Sequence, residues 1–276
     1  MDMSGIIDSL SSIVPTDSET HIGEDGLLYC NRCGTARQSR FELFGKIRTV
    51  NCLCHCMAEE RDRRAEERKQ REYMTRIMSN RAVGFPDKEL QNCTFDADDG
   101  STPVITNAMQ AYVEHFGEFK KSGKGLLLYG DVGTGKTFYA ACIVNALIDK
   151  GYPCLMTNFS RLTNTIAGMW EGKQEYIDSL SMFSLVAIDD LGVERDTEYM
   201  NENVTTIIDS LYRAKVPMVI TSNFTPKQLT ETDEIRKKRV FDRMLEVCHP
   251  VKVNGASRRK DKGRNEFAEM NQLLGL

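Results

Sequence analysis

The octapeptide Gly130-Asp131-Val132-Gly133-Thr134-Gly135-Lys136-Thr137 satisfies G-x-x-x-x-G-K-[ST] at every fixed position. Glycines at this spacing let the backbone turn successive N–H groups toward one point. A helix beginning at Lys136, with Phe138 in its first turn, adds its positive end to that anion-binding nest. Lys136 is then placed to reach the β- and γ-phosphates of ATP, and the Thr137 hydroxyl to coordinate Mg²⁺.

A metal held by one hydroxyl needs a carboxylate as well. Leu185-Val-Ala-Ile-Asp189-Asp190 is an apolar run ending in two acids, 53 positions after Lys136. At the end of a parallel strand beside the phosphate loop, Asp189 would face the Thr137-bound Mg²⁺, and Asp190 could orient or deprotonate the attacking water. Two adjacent carboxylates repel each other, and a cation relieves that repulsion. A third run, Val216-Pro-Met-Val-Ile-Thr-Ser-Asn223, puts Asn223 where it could bond the γ-phosphate or the lytic water.

The cysteines carry a second chemistry. Five of nine lie between Cys30 and Cys56, as Cys30-Asn-Arg-Cys33 and, 18 residues on, Cys52-Leu-Cys54-His55-Cys56. Thiolates in two such clusters suit a tetrahedral Zn²⁺ site rather than a disulfide framework. Cys30 and Cys33 are firm ligands; Cys54 and Cys56 complete the set, with Cys52 as substitute. So short a stretch builds little core, so the metal would supply its folding free energy. A redox C-x-x-C is the rival reading, but the surrounding sequence is not a thioredoxin-like βαβ unit.

These groups need elements to hold them. Residues 1–26 read as a flexible N-terminal segment, a short helix and then loose chain, and 27–57 as the zinc-binding module, with FELFGKIRTV as a hairpin presenting Lys46 and Arg48. Residues 58–85 read as a charged connecting or docking helix ended by Gly84-Phe85-Pro86, with Tyr73, Ile77 and Met78 as a narrow apolar edge. It falls within a stretch, 57–81, that has 14 charged residues in 25. Beyond it, 86–276 alternates helices (106–119, 136–150, 162–166, 198–214) with short apolar strands (125–129, 154–158, 185–188, 216–221). That alternation predicts an α/β domain with a parallel sheet.

Composition narrows the function classes. A hydrophobic share of 41% is that of a chain with a core. No apolar run approaches the ~18–20 residues of a membrane span, and the acidic N-terminus lacks the features of a secretory signal. A cytoplasmic protein without membrane partners is expected. The formal charge of −4 argues weakly against a nucleic-acid binder, yet residues 235–264 hold 11 Lys/Arg against 3 Asp/Glu. The excess sits where Arg239, Arg243, Arg258 and Arg259 lie.

In order, phosphate loop, Asp-Asp, strand-end Asn and trailing arginines resemble an AAA+ ATPase. LVAIDDLGVERDTEYMNENVTTIIDSLYRAKVPMVITSNFTPKQL, then RVFDRM and GASRR, are similar to the DnaC/DnaI-type replicative helicase loaders and to the ATPase helper subunits of IstB-type transposons. The likeness covers roughly residues 94–260, and the upstream cysteine cluster extends it. The resemblance implies a P-loop AAA+ fold and an arginine finger at Arg243 that reaches a neighbouring subunit's nucleotide, Arg239 being the runner-up. It also implies a sensor arginine at Arg259 or Arg258, where the family often has Tyr.

The implied function is an ATPase that loads a replicative DNA helicase and grips single-stranded DNA, self-associating with nucleotide at subunit interfaces. Lys260, Lys262 and Arg264 are the candidates for DNA backbone contact. An IstB-like helper of DNA transposition is the alternative, and an adaptor whose ATP site only switches its conformation a third.

Overall fold

The structure, a computed structural model, describes residues 19–192, 198–231, 235–255, 270–271 and 273–274, with backbone alone for 198–201 and 235–237. The chain divides into two compact units, Met1–Met74 and Thr75–Leu276.

The first unit holds two antiparallel pairs. Strands β1 (Thr20–Ile22) and β2 (Leu28–Cys30) pair from Thr20↔Cys30 to Ile22↔Leu28. Strands β3 (Gln38–Leu43) and β4 (Lys46–Asn51) form the expected hairpin, turning at Phe44-Gly45 with both residues at positive φ. Pair β1–β2 begins inside the stretch read from sequence as loose. Strands of three residues in polar surroundings leave almost no periodic signal. Helix α1 (His55–Gly84) begins directly after Cys54 and carries Cys56 in its first turn. Its exposed face carries ion pairs one turn apart, among them Glu60–Arg64 at 2.6 Å and Arg63–Glu67 at 2.6 Å, each of which supports an isolated helix by a few tenths of a kcal/mol.

The division between units falls within α1, not at the Gly-Phe-Pro break after it. Ile77 packs against the second unit's core, Arg81 donates to Asn145 Oδ1 at 2.8 Å and pairs with Asp149, and Gly84 is buried. These contacts tie the last turns of α1 to the second unit.

The second unit is a five-stranded parallel sheet in the order β6-β7-β8-β5-β9, formed by β5 (Gly125–Tyr129), β6 (Cys154–Asn158), β7 (Leu185–Leu191), β8 (Met218–Ser222) and β9 (Cys248–Lys252). Around it lie α2 (Pro103–Glu114), α3 (Phe116–Ser122), α4 (Lys136–Asp149), α5 (Phe159–Ala167), α6 (Lys173–Ser179), α7 (Glu198–Arg213), α8 (Pro226–Thr230) and α9 (Ile235–Val247). The central strands are apolar at successive residues because both faces are covered. Leu127, Val186, Ile188 and Ile220 pack with Phe159, Leu162, Ile207 and Met244 on one side. Leu126, Leu128, Ala187 and Val219 pack with Met109, Tyr112, Ile143 and Leu147 on the other. This period-two division between two cores is what a doubly covered parallel sheet requires. The single helix expected at 106–119 is two, α2 and α3, meeting at His115. Strand β9 completes the sheet at its edge with the sequence CHPVK, whose proline and mixed polarity hid it.

Candidate functional site

All parallel strands point their C-terminal ends the same way, so the loops after β5, β7 and β8 gather at one edge. The loop after β5 is the Gly130–Thr137 motif. Gly130, Gly133 and Gly135 have φ of 149°, 86° and 98°. A Cβ on Gly130 would stand 2.4 Å from the Val253 carbonyl oxygen, so no larger residue fits there without movement. Thr134 is buried, its hydroxyl donating to the Asp131 carbonyl at 2.9 Å; Asp131 and Val132 lie exposed on the outside of the turn. Lys136 is buried and its ammonium donates to the carbonyls of Gly130 (3.0 Å) and Asp131 (2.8 Å), which holds it across the loop. Phe138 follows, half-buried and edge-on to Tyr139.

From the next strand but one, Asp189 Oδ1 accepts from the Thr137 hydroxyl at 3.0 Å. The two residues read from sequence as partners around one magnesium ion are therefore adjacent, 52 positions apart. Burial pushes the Asp189 carboxyl above its ordinary value, with the Asp190 charge adding to the rise, while the Thr221 and Thr137 hydroxyls and Lys136 oppose it. A hydroxyl and a destabilised carboxylate, both hard oxygen donors beside an anion nest, fit a nucleotide-bound Mg²⁺.

Asp190 is exposed and sits at φ +58°, in the left-handed region. Its conformation belongs to a β-bulge: the β7–β8 register shifts between Ile188 and Leu191. Thr221 fills the irregularity, its hydroxyl donating to Asp189 Oδ1 at 2.5 Å and accepting the Asp190 N–H at 2.9 Å. Thr221 belongs to no motif in the sequence; its one signal is its place with Ser222 and Asn223 in the polar end of an apolar run. Asn223 follows β8 directly and is exposed at the same sheet edge.

The arginines are placed differently. Arg243, on α9, pairs with Asp209 of α7 in the same chain and lies 5.9 Å from the Tyr212 ring centroid. Asp209 also accepts from Arg213 at 2.6 Å. Arg239 is exposed on the same helix. Within one chain, then, the guanidinium read as a finger is engaged by its own α7. Arg258 and Arg259 lie outside the described residues, as do Lys260, Lys262 and Arg264.

In the first unit, Cys30, Cys33, Cys54 and Cys56 each offer a sulfur atom within 4.8 Å of the others. Cys30–Cys56 and Cys54–Cys56 are 3.6 and 3.4 Å apart, near the roughly 3.8 Å edge of a tetrahedron built with Zn–S bonds of about 2.3 Å. Cys52 is exposed and turned to the Ala36 carbonyl, and His55 faces Glu59 at 3.6 Å, so neither joins the four. The Thr35 hydroxyl and the Cys56 backbone N–H draw the Cys33 thiol down to about 5, whereas Cys54 and Cys30 push Cys56 up to about 12. Four packed thiols cannot all ionise unaided; a bound cation would let them. The donor set and spacing fit zinc.

A family model described as IstB-like ATP binding protein matches residues 45–266, most of the chain. The chain belongs to that family. Among relatives of this IstB-like ATP-binding protein, "Replicative helicase loader DnaI" of Bacillus subtilis is 26% identical over 215 residues, covering 71% of this chain and 66% of DnaI. "Replicative helicase loader DnaC" of Escherichia coli K12 is 28% identical over 162 residues, covering 56% of this chain and 63% of DnaC. The IstB-like chain thus spans just under two thirds of these relatives' lengths. Crystal structures of DnaI (TM-score 0.53, 24% identity, 65% of this chain and 98% of that one) and of the DnaC helicase loader (0.52, 20%, 60% and 99%) share its fold. The expected α/β architecture, a parallel sheet flanked by helices, is thereby borne out. Among the described residues no helix is long and apolar enough to cross a membrane.

Proposed function

We propose that this chain is a cytoplasmic, ATP-dependent loader of a replicative DNA helicase. The observation that carries the enzymatic part is the 3.0 Å contact of Thr137 with Asp189 beside the glycine loop. When bound, Mg²⁺ would offset the negative charge of the phosphates. The chain's own groups do the remainder. The loop N–H groups and Lys136 bind the phosphates, and Thr137 and Asp189 hold the metal. Asp190, exposed at the strand end, orients the attacking water and takes its proton, and Asn223 steadies the γ-phosphate. Arg243 acts on the nucleotide of an adjacent subunit once that subunit draws it from Asp209, and Arg259 on its own.

The names borne by the relatives support helicase loading, and so does the first unit. Residues 27–57 serve as a zinc-binding module and 58–85 as a docking helix, ahead of the ATPase domain at 86–276. Hairpin β3–β4 exposes Phe41, Leu43, Phe44 and Ile47, with Phe44 95% exposed. An apolar hairpin tip of this kind suits contact with another protein. Single-stranded DNA is the second partner, gripped electrostatically by the basic C-terminal stretch.

The family's IstB-like description favours one second reading, a helper ATPase of transposition that binds duplex DNA. Pull-down against a replicative helicase, with and without ATP, separates the two: the loader reading expects co-elution that depends on residues 1–81. Lys136→Ala tests the enzyme, since DNA-stimulated hydrolysis left intact in that variant would refute it.

A further inference from the structure

Thr221 lies in β8 with no exposed surface, at the one place where β7 and β8 fall out of register. Between the pairs Ile188↔Ile220 and Leu191↔Ser222, strand β7 has two residues, Asp189 and Asp190, opposite Thr221 alone. Such a bulge re-aims side chains and leaves a backbone group without its ladder partner. Here the Thr221 hydroxyl supplies the missing partner, accepting the Asp190 N–H at 2.9 Å, and spends its single proton on Asp189 Oδ1 at 2.5 Å. The far side of the bulge is fastened too, because the Ser222 hydroxyl donates to the Leu191 carbonyl at 2.8 Å. The Gly130 N–H in turn donates to the Ser222 carbonyl at 3.3 Å, joining the residue after Thr221 to the start of the phosphate loop.

We propose that Thr221 is a positioning residue for the Asp189–Asp190 pair. Its hydroxyl fixes the bulge that turns Asp189 toward Thr137 and holds Asp190 in the left-handed conformation at the exposed strand end. A buried hydroxyl between Ile220 and Ser222 costs desolvation unless it is bonded, and valine would fill the same volume in a parallel strand. What valine cannot do is bridge an N–H and a carboxylate. This inference rests on the reading of Asp189 and Asp190 as the metal-holding and water-orienting acids.

The test uses the full chain and the variants T221V, T221S, T221A and D189A. Each is measured for melting temperature without nucleotide, for affinity toward a fluorescent ATP analogue with Mg²⁺ and with chelator, and for kcat and KM of ATP hydrolysis. T221V is expected to keep its chelator-state nucleotide affinity within about twofold. Its Mg²⁺-dependent gain in affinity and its kcat should fall about 10- to 100-fold, the range for outer-shell partners of metal ligands. T221S should stay within about threefold of the parent in both.

Serine and alanine at 221 differ only in the hydroxyl, so their comparison decides the matter even if valine disturbs folding. A folded T221V or T221A with the parent's Mg²⁺ dependence and kcat would overturn the proposal, as would T221S failing as badly as T221A. The parent reading fails separately: D189A with intact Mg²⁺-dependent turnover would refute it whatever Thr221 does. If D189A is inactive and T221A is normal, only the role of Thr221 is wrong.

Discussion

Arg243 and Asp209 are paired within one chain, 34 positions apart, across the contact of α9 with α7. The arginine proposed to serve a neighbouring subunit thus has a partner at home, half-exposed, with the Tyr212 ring beside it. Assembly would have to exchange Asp209 for a nucleotide phosphate.

Arg243→Ala is expected to lower ATP turnover by about 10³-fold or more, the scale of arginine fingers elsewhere, while leaving the affinity for ATP nearly unchanged. Asp209→Asn, which weakens the home pairing, should raise turnover at subunit concentrations too low for full assembly. Steady-state hydrolysis over a range of protein concentrations checks both. Equal losses of binding and of folding in Arg243→Ala would give that residue a structural role instead.

Without metal, Asp189 should make the chain's stability fall as pH rises. Burial raises its folded-state value above its ordinary one, so without metal the folded chain favours the protonated form more than the unfolded chain does. The charged carboxylate therefore costs stability as pH rises through the raised value, and that cost vanishes toward acid. At pH above the raised value, Asp189→Asn should melt at or above the parent temperature, with the advantage shrinking as pH falls through it toward the ordinary 3.8, yet lose its response to Mg²⁺ with ATP. Melting curves across that range suffice; a deficit equal at every pH would contradict the account.

Much of this site is legible in the sequence. The phosphate loop is written in consecutive residues, and the strand ending in Asp189-Asp190 announces itself because a sheet covered on both faces needs unbroken apolar strands. Cys30-x-x-Cys33 and the run Cys52–Cys56 mark the metal candidates in sequence, and the sulfurs of Cys30, Cys33, Cys54 and Cys56 lie together. What stayed hidden depends on geometry between segments. The register shift at Asp189–Asp190 exists only in the pairing of β7 with β8, so Thr221 looked like one more strand residue. Asp209 lies on a helix far from RVFDRM in sequence, and nothing local links them. Strand β9 and the three-residue strands β1 and β2 are too short or too polar to carry a period.

Zinc analysis of the metal-replete chain should return about one ion per molecule. Cys54→Ser, at a site with no exposed surface, should release it and unfold the first unit, since structural zinc supplies about 10–16 kcal/mol in small modules. Cys52→Ser should retain the metal. A metal-free chain with an intact first unit by heteronuclear NMR would contradict the zinc reading.

ATP-dependent helicase loading is tested by capture of the purified replicative helicase of the same cell or phage by the tagged full chain. The parent chain should retain the helicase with ATP and Mg²⁺, and transfer it to single-stranded DNA as ATP is hydrolysed. Lys136→Ala should fail at transfer, and a chain lacking residues 1–81 should fail at capture. Absence of any helicase retention by the folded, zinc-loaded parent chain, together with ATP-dependent binding to duplex DNA, would contradict the loader account in favour of the transposition helper.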